Sequence, residues 1–131
     1  DRVARAPARA ISAEMHSGFA ALRNAMPLNC RKRVAPTALR DDVSRDVLRI
    51  GSIWRNARAR NADAGPFLFG KFSIADAMYA PIALRFLSYS IALAGAEQAY
   101  AQNLLALPAM QEWTAEAATE GIAPLHEQDV A

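Results

Sequence analysis

The residues best suited to chemistry lie near the start of the chain. Projected on a helical wheel at about 100° per residue, Arg5, Arg9, Ser12, His16 and Arg23 form a polar stripe spanning roughly 60°. Ile11, Met15, Gly18, Leu22 and Met26 point the other way, and Phe19 stands at the border. A polar stripe beside an apolar face suits a cleft wall. It offers apolar surface to a hydrophobic substrate and hydrogen-bond donors to an anion such as a thiolate or carboxylate. The alternative is an ordinary solvated flank. A second group is Met78, Ile82, Arg85 and Tyr89, which share a helix face at steps of 4, 3 and 4. Arg85 is the unusual member, because Arg is seldom buried without a partner. It can bind a substrate carboxylate or pair with a structural acid.

Other chemistries find less support. His16, His126 and Cys30 make no metal-ligand spacing. Arg31-Lys32-Arg33 and the trio Arg55, Arg58 and Arg60 come without interleaved aromatics or an RNA-binding motif, so they read as solvated charge, and no nucleic-acid partner is expected. With 15 basic and 13 acidic residues, the net charge of +2 is too balanced to argue for nucleic acid by itself. A lone cysteine cannot form an internal disulfide and suits a reducing, cytoplasmic compartment. Arg85 interrupts the longest apolar run, Met78 to Leu87, so no membrane span is expected. The start, Asp1-Arg2-Val3-Ala4-Arg5, lacks an initiator Met and an apolar signal region, which suggests a truncated or excised chain.

These residues must be positioned by helices. The chain has 131 residues, 53% of them hydrophobic and 21% charged, which fits one globular domain over 1–131 and excludes a disordered chain. Apolar periodicity predicts five helices and no strand, an all-α bundle. The first runs from Pro7 in its first turn to Met26, stopped by Pro27. A basic connector, Leu28 to Thr37, precedes a second helix from about Ala38 to Arg60. Its stripe is Leu39, Val43, Val47, Ile50, Trp54 and Ala57, and Asp41 can pair with Arg45. Asp63-Ala64-Gly65-Pro66 reads as a turn. Ser73 and Asp76 have capping-box spacing for a third helix, Ile74 to Tyr89, whose nearly continuous apolar character places it at the centre of the bundle. Pro81 predicts a kink within it, and Phe72 makes only a weak staple against Ala77. A fourth helix follows from Ala96 to Leu105, then a fifth from Pro108 to about Ala118. Gly121 to Ala131 reads as a mobile or docked tail.

Three segments resemble the C-terminal helical domain of bacterial glutathione transferases. The first is Ser12-Ala13-Glu14-Met15-His16-Ser17-Gly18-Phe19, where the family often reads Glu-apolar-His-x-Gly-aromatic. The second is Phe69-Gly70-Lys71-Phe72-Ser73-Ile74-Ala75-Asp76-Ala77, which looks like the family's capped central helix. The third, Leu104 to Trp113, looks like its final helices. With the helix order, the resemblance covers nearly the whole chain. It implies a glutathione transferase C-terminal-like bundle that works with a thioredoxin-like N-terminal domain, of which nothing is seen in this sequence. Glutathione would be the co-substrate of the parent protein, held mainly by that other domain, and the isolated chain would be inactive and bind no cofactor.

By the same resemblance His16 would lie near the glutathione sulfur, and Glu14 near its amine across a homodimer interface. Ser17 stands where relatives often carry Lys. Met15, Phe19 and Arg23 on the first helix, with Met78, Arg85 and Tyr89 on the third, would line the pocket for a small hydrophobic electrophile. The resemblance equally allows an isomerase or dehalogenase relative, or a non-catalytic assembly module, because one fold hosts several chemistries.

Overall fold

In the computed structural model, which describes residues 2–121, the chain is all-helical. Six helices follow in order: α1 Arg2–Ser17, α2 Ala20–Ala25, α3 Asp41–Asn61, α4 Ile74–Ser88, α5 Gly95–Leu105 and α6 Pro108–Thr119, with a 3-10 turn at Ala62–Ala64 after α3. Among the described residues, extended pairing is limited to two isolated bridges, Phe67 with Gly70 and Phe69 with Lys71. No helix among them is long and apolar enough to cross a membrane. The tail expected beyond Gly121 lies outside the described residues.

The expected first helix is in fact two. It begins at Arg2, so Pro7 lies inside α1 rather than in its first turn. It ends at Ser17 because the chain turns sharply at the next two residues. Gly18 donates its N–H to the Glu14 carbonyl at 2.7 Å, and a Cβ there would lie 2.6 Å from that same oxygen. Phe19 then takes a left-handed conformation, φ 60° and ψ 33°, which a bulky side chain adopts only under constraint. Its ring is buried, and that burial offsets the backbone strain. A periodicity that stays in phase across a break cannot reveal it. One consequence is that Arg23 belongs to α2 and leaves the continuous stripe of Arg5, Arg9, Ser12 and His16.

Helix α3 starts at Asp41, three residues later than expected at Ala38, with Arg40 extended before it. Asp42 pairs with Arg40 at 2.8 Å, where the sequence suggested Asp41 with Arg45. Both partners are well exposed, so the pair adds little stability. Asp46 reaches across from α3 and accepts the Leu22 N–H at 3.0 Å, holding the short α2 in place.

Helix α4 occupies the centre, as its composition predicts. Nine of its fifteen residues are buried, and α1 and α5 pack against it. Pro81 sits within it without interrupting the helix. Trp54 of α3 anchors the aromatic core. Its ring lies 4.9 Å from Tyr100, 5.5 Å from Phe86 and 6.1 Å from Tyr79, in edge-on or tilted contacts. The Tyr79 hydroxyl donates to the Ile11 carbonyl at 3.0 Å and so ties α4 to α1.

The Ser73–Asp76 capping box is formed. Asp76 also does more than cap. Its fully buried carboxylate accepts the Ser73 N–H at 2.8 Å, the Leu68 N–H at 3.1 Å and the Tyr100 hydroxyl at 2.9 Å. One buried acid thus joins the loop before α4, the start of α4, and α5. Burial first, and then the adjacent Asp76 charge, push the Tyr100 hydroxyl far above its usual pKa, so it stays a donor. Phe72, half exposed, stacks edge-on with Phe67 at 5.5 Å instead of stapling the helix.

The loop before α4 is closed by two backbone bonds of 3.1 Å between Phe67 and Gly70. Gly70 has φ 91°, and a Cβ there would lie 2.5 Å from the Ala64 Cβ and 2.8 Å from the Ala64 oxygen. Gly70→Ala should therefore cost about 1–3 kcal/mol. Gly95 has φ 57° with nothing within 4 Å of a Cβ, so Gly95→Ala should cost less, about 1 kcal/mol. Urea unfolding of the two variants checks this order, and equal midpoints would show that the loop is not packed as described.

Candidate functional site

The polar flank of α1 is a real surface feature. Arg5, Arg9 and His16 are exposed, and none of the three has a hydrogen-bond or ion-pair partner among the described residues. Ser12 is half-buried, and its hydroxyl is enclosed without a partner among those residues. His16 sits in the last turn of α1, and its imidazole is open to a ligand. Ser17 turns its hydroxyl back to the Ala13 carbonyl at 2.8 Å, so it adds no outward group.

Glu14 is engaged from within the chain. Arg49 of α3 grips it in a two-point pair, 2.8 Å from Nε and 3.0 Å from a terminal nitrogen. Both partners are partly exposed, and the bridge ties α1 to α3. Met15 and Phe19 are buried in the core, each 7% exposed, facing α4 and its neighbours. Met78 is half-buried against the same core.

The residues that do come together are Arg23 and Arg85. Both are half-buried, and they lie close enough for Arg85 to feel the Arg23 charge. Burial first, and then the Arg23 charge, lower the Arg85 pKa below the usual guanidinium value. Its Nε donates to the Met26 carbonyl at 2.9 Å, a backbone partner in place of the structural acid the sequence allowed. The Arg23 Nε is enclosed with no hydrogen-bond partner among the described residues. Two neighbouring guanidiniums with no ion pair to a carboxylate among the described residues favour an anion.

Tyr89 borders the same region. Its hydroxyl donates to the Pro27 carbonyl at 2.9 Å, and the Lys32 ammonium lies 5.0 Å from its ring centre. Met26, Tyr89, Leu39 and Val43 enclose a small cleft of about 170 Å³. That is below the roughly 300–1,000 Å³ of whole-ligand pockets, so the cleft holds one apolar group, not a complete molecule. The arrangement can therefore fix an anionic group and a small apolar group side by side at the junction of α2, the connector and the end of α4.

Sequence reasoning missed three residues that tie the helices together: Arg49, which occupies Glu14, Asp46, which accepts the Leu22 N–H of α2, and Tyr79, which holds α1. Asp46 left a readable signal, a carboxylate at i+3 from Val43 inside the apolar stripe of α3. No family model and no curated protein matches the chain.

Proposed function

We propose that the chain is the C-terminal, electrophile-binding domain of a glutathione transferase-like protein, whose parent adds glutathione thiolate to a hydrophobic electrophile. The observation that carries this reading is the Ser73–Asp76 box sealing a buried central helix, in the segment Phe69 to Ala77 that resembles the family. The open His16 and the acid-free pair of Arg23 and Arg85 support its chemical half. In this reading His16 donates a hydrogen bond to the thiolate, the arginines steady negative charge on the acceptor, and a thioredoxin-like domain supplies most glutathione contacts and thiol activation. The parent works as a cytoplasmic homodimer.

One observation favours the second reading, a non-catalytic assembly module. With Met15 and Phe19 in the core, α1 offers an electrophile less apolar surface than its sequence suggests.

The test is His16→Ala in the protein joined to its thioredoxin-like domain. Turnover with glutathione and a chloronitroaromatic acceptor should fall about tenfold or more. Because His16 is exposed and unpartnered, the unfolding midpoint should move by no more than the equivalent of about 0.5 kcal/mol. Unchanged catalytic constants would remove His16 from the site.

A further inference from the structure

The end of α4 straps down the connector that follows α2. Arg85 Nε donates to the Met26 carbonyl at 2.9 Å, the Ser88 hydroxyl to the Asn29 carbonyl at 3.0 Å and the Tyr89 hydroxyl to the Pro27 carbonyl at 2.9 Å. The Val34 N–H comes back to the Ser88 carbonyl at 2.8 Å. These bonds fix the half-buried Arg85 against the C-terminal end of α2, where Arg23 occupies the last turn.

A helix C-terminus offers its free carbonyls to cations, and Arg85 Nε takes one of them. Arg23 takes none. Its side chain makes no hydrogen bond among the described residues, although its Nε is enclosed. An enclosed donor without an acceptor is costly, and Arg85 lies close enough to feel the Arg23 charge. Neither arginine has an ion-pair partner among the described residues. Asp46, the acid that reaches α2, bonds the Leu22 N–H and pairs with neither. A carboxylate between the two guanidiniums would accept from Arg23 Nε and from the terminal nitrogens of Arg85, and would offset the repulsion. A neutral group offsets nothing.

We propose that the acceptor of the thiol transfer is an electrophile that carries a carboxylate, held between Arg23 and Arg85, with its apolar body toward the cleft that Met26 and Tyr89 border. Its role as acceptor rests on the transferase reading, whereas the carboxylate site stands on the two arginines alone. With a chloroarene, the thiolate sulfur bonds the ring carbon that bears chlorine, the C–Cl bond breaks, and chloride leaves with the bonding pair. The carboxylate stays ionised and held throughout.

The probes are a chloronitrobenzoate, with chlorine ortho to the nitro group, and the matching benzamide. Titration calorimetry on the 131-residue chain should show one equivalent of the benzoate bound at least about tenfold more tightly than the amide. Arg23→Gln should weaken the benzoate about tenfold, leave the amide unchanged and leave the urea midpoint unchanged, because the Arg23 side chain bonds nothing among the described residues. Arg23→Lys, which keeps the charge, should recover part of the loss. In the protein joined to the thioredoxin-like domain of the proposed parent, kcat/KM relative to the uncatalysed rate should favour the benzoate, and Arg23→Gln should remove that preference. Absence of saturable binding, equal affinity for benzoate and amide, or unchanged benzoate affinity in Arg23→Gln would overturn the proposal. If the joined protein conjugates both probes without preference, the inference falls and the transferase reading stands. If the chain selects the benzoate but the joined protein conjugates neither, the role as acceptor falls with that reading.

Discussion

Asp76→Ala should lower the unfolding free energy by about 3 kcal/mol or more. The carboxylate is fully buried, and its loss leaves the Leu68 N–H, the Ser73 N–H and the Tyr100 hydroxyl without their acceptor. Hydrogen bonds to a charged group contribute about 1.5–3 kcal/mol each, and a buried donor left unpaired adds its desolvation cost. A cap alone would be worth only about 0.5–2 kcal/mol. Asp76→Asn should recover little, because its amide nitrogen would face donors where an oxygen stood. Tyr100→Phe, which removes one of the bonds, should cost less than either. Urea midpoints of the three variants give the order directly. An Asp76→Ala midpoint close to wild type would show that the acid joins nothing.

Phe19→Ala should be of similar size, about 3–5 kcal/mol, through loss of a buried ring. From the sequence alone, Phe19 looks like a substrate contact on the rim of the first helix, and its truncation would weaken substrate binding while sparing the fold. The buried ring after the left-handed turn predicts the reverse. Thermal and urea unfolding should show a large loss of stability. Phe19→Leu should recover part of it, because an apolar side chain still fills the site. If Phe19→Ala unfolds like wild type and only raises the KM for a hydrophobic acceptor, then the ring faces a pocket.

The contrast between these two residues shows what was legible. Asp76 could be placed in a capping box, at N3 behind the N-cap Ser73, because its chemistry is local: Ser73 and Asp76 sit three apart, just where an apolar run begins. That Asp76 would also bind Leu68 and Tyr100 depends on where the loop and α5 return, which spacing along the chain does not carry. The buried α4 was readable because it is apolar on nearly every side. The break at Gly18 and Phe19 was not, because the apolar steps on either side continue in register and a left-handed phenylalanine has no sequence signature. The break moved Phe19, whose ring went to the core, and Arg23, which crossed to α2 beside Arg85, while Met15, Leu22 and Met26 kept the buried face that the wheel gives them. Arg85 stands out in the sequence as a charge on an apolar helix, and in the structure it is half-buried. Its neighbour proved to be another arginine and a carbonyl, a pairing that periodicity does not suggest.

The central claim is that this chain supplies the acceptor-binding half of a thiol-transfer enzyme. Its most direct test is turnover of glutathione with a chloronitroaromatic acceptor, measured for the 131-residue chain alone and for the chain joined to the thioredoxin-like domain of the proposed parent. The account predicts no turnover by the chain alone and clear conjugation by the joined protein. A joined protein that binds glutathione yet forms no conjugate with any hydrophobic acceptor, or a lone chain that matches its rate, would contradict it.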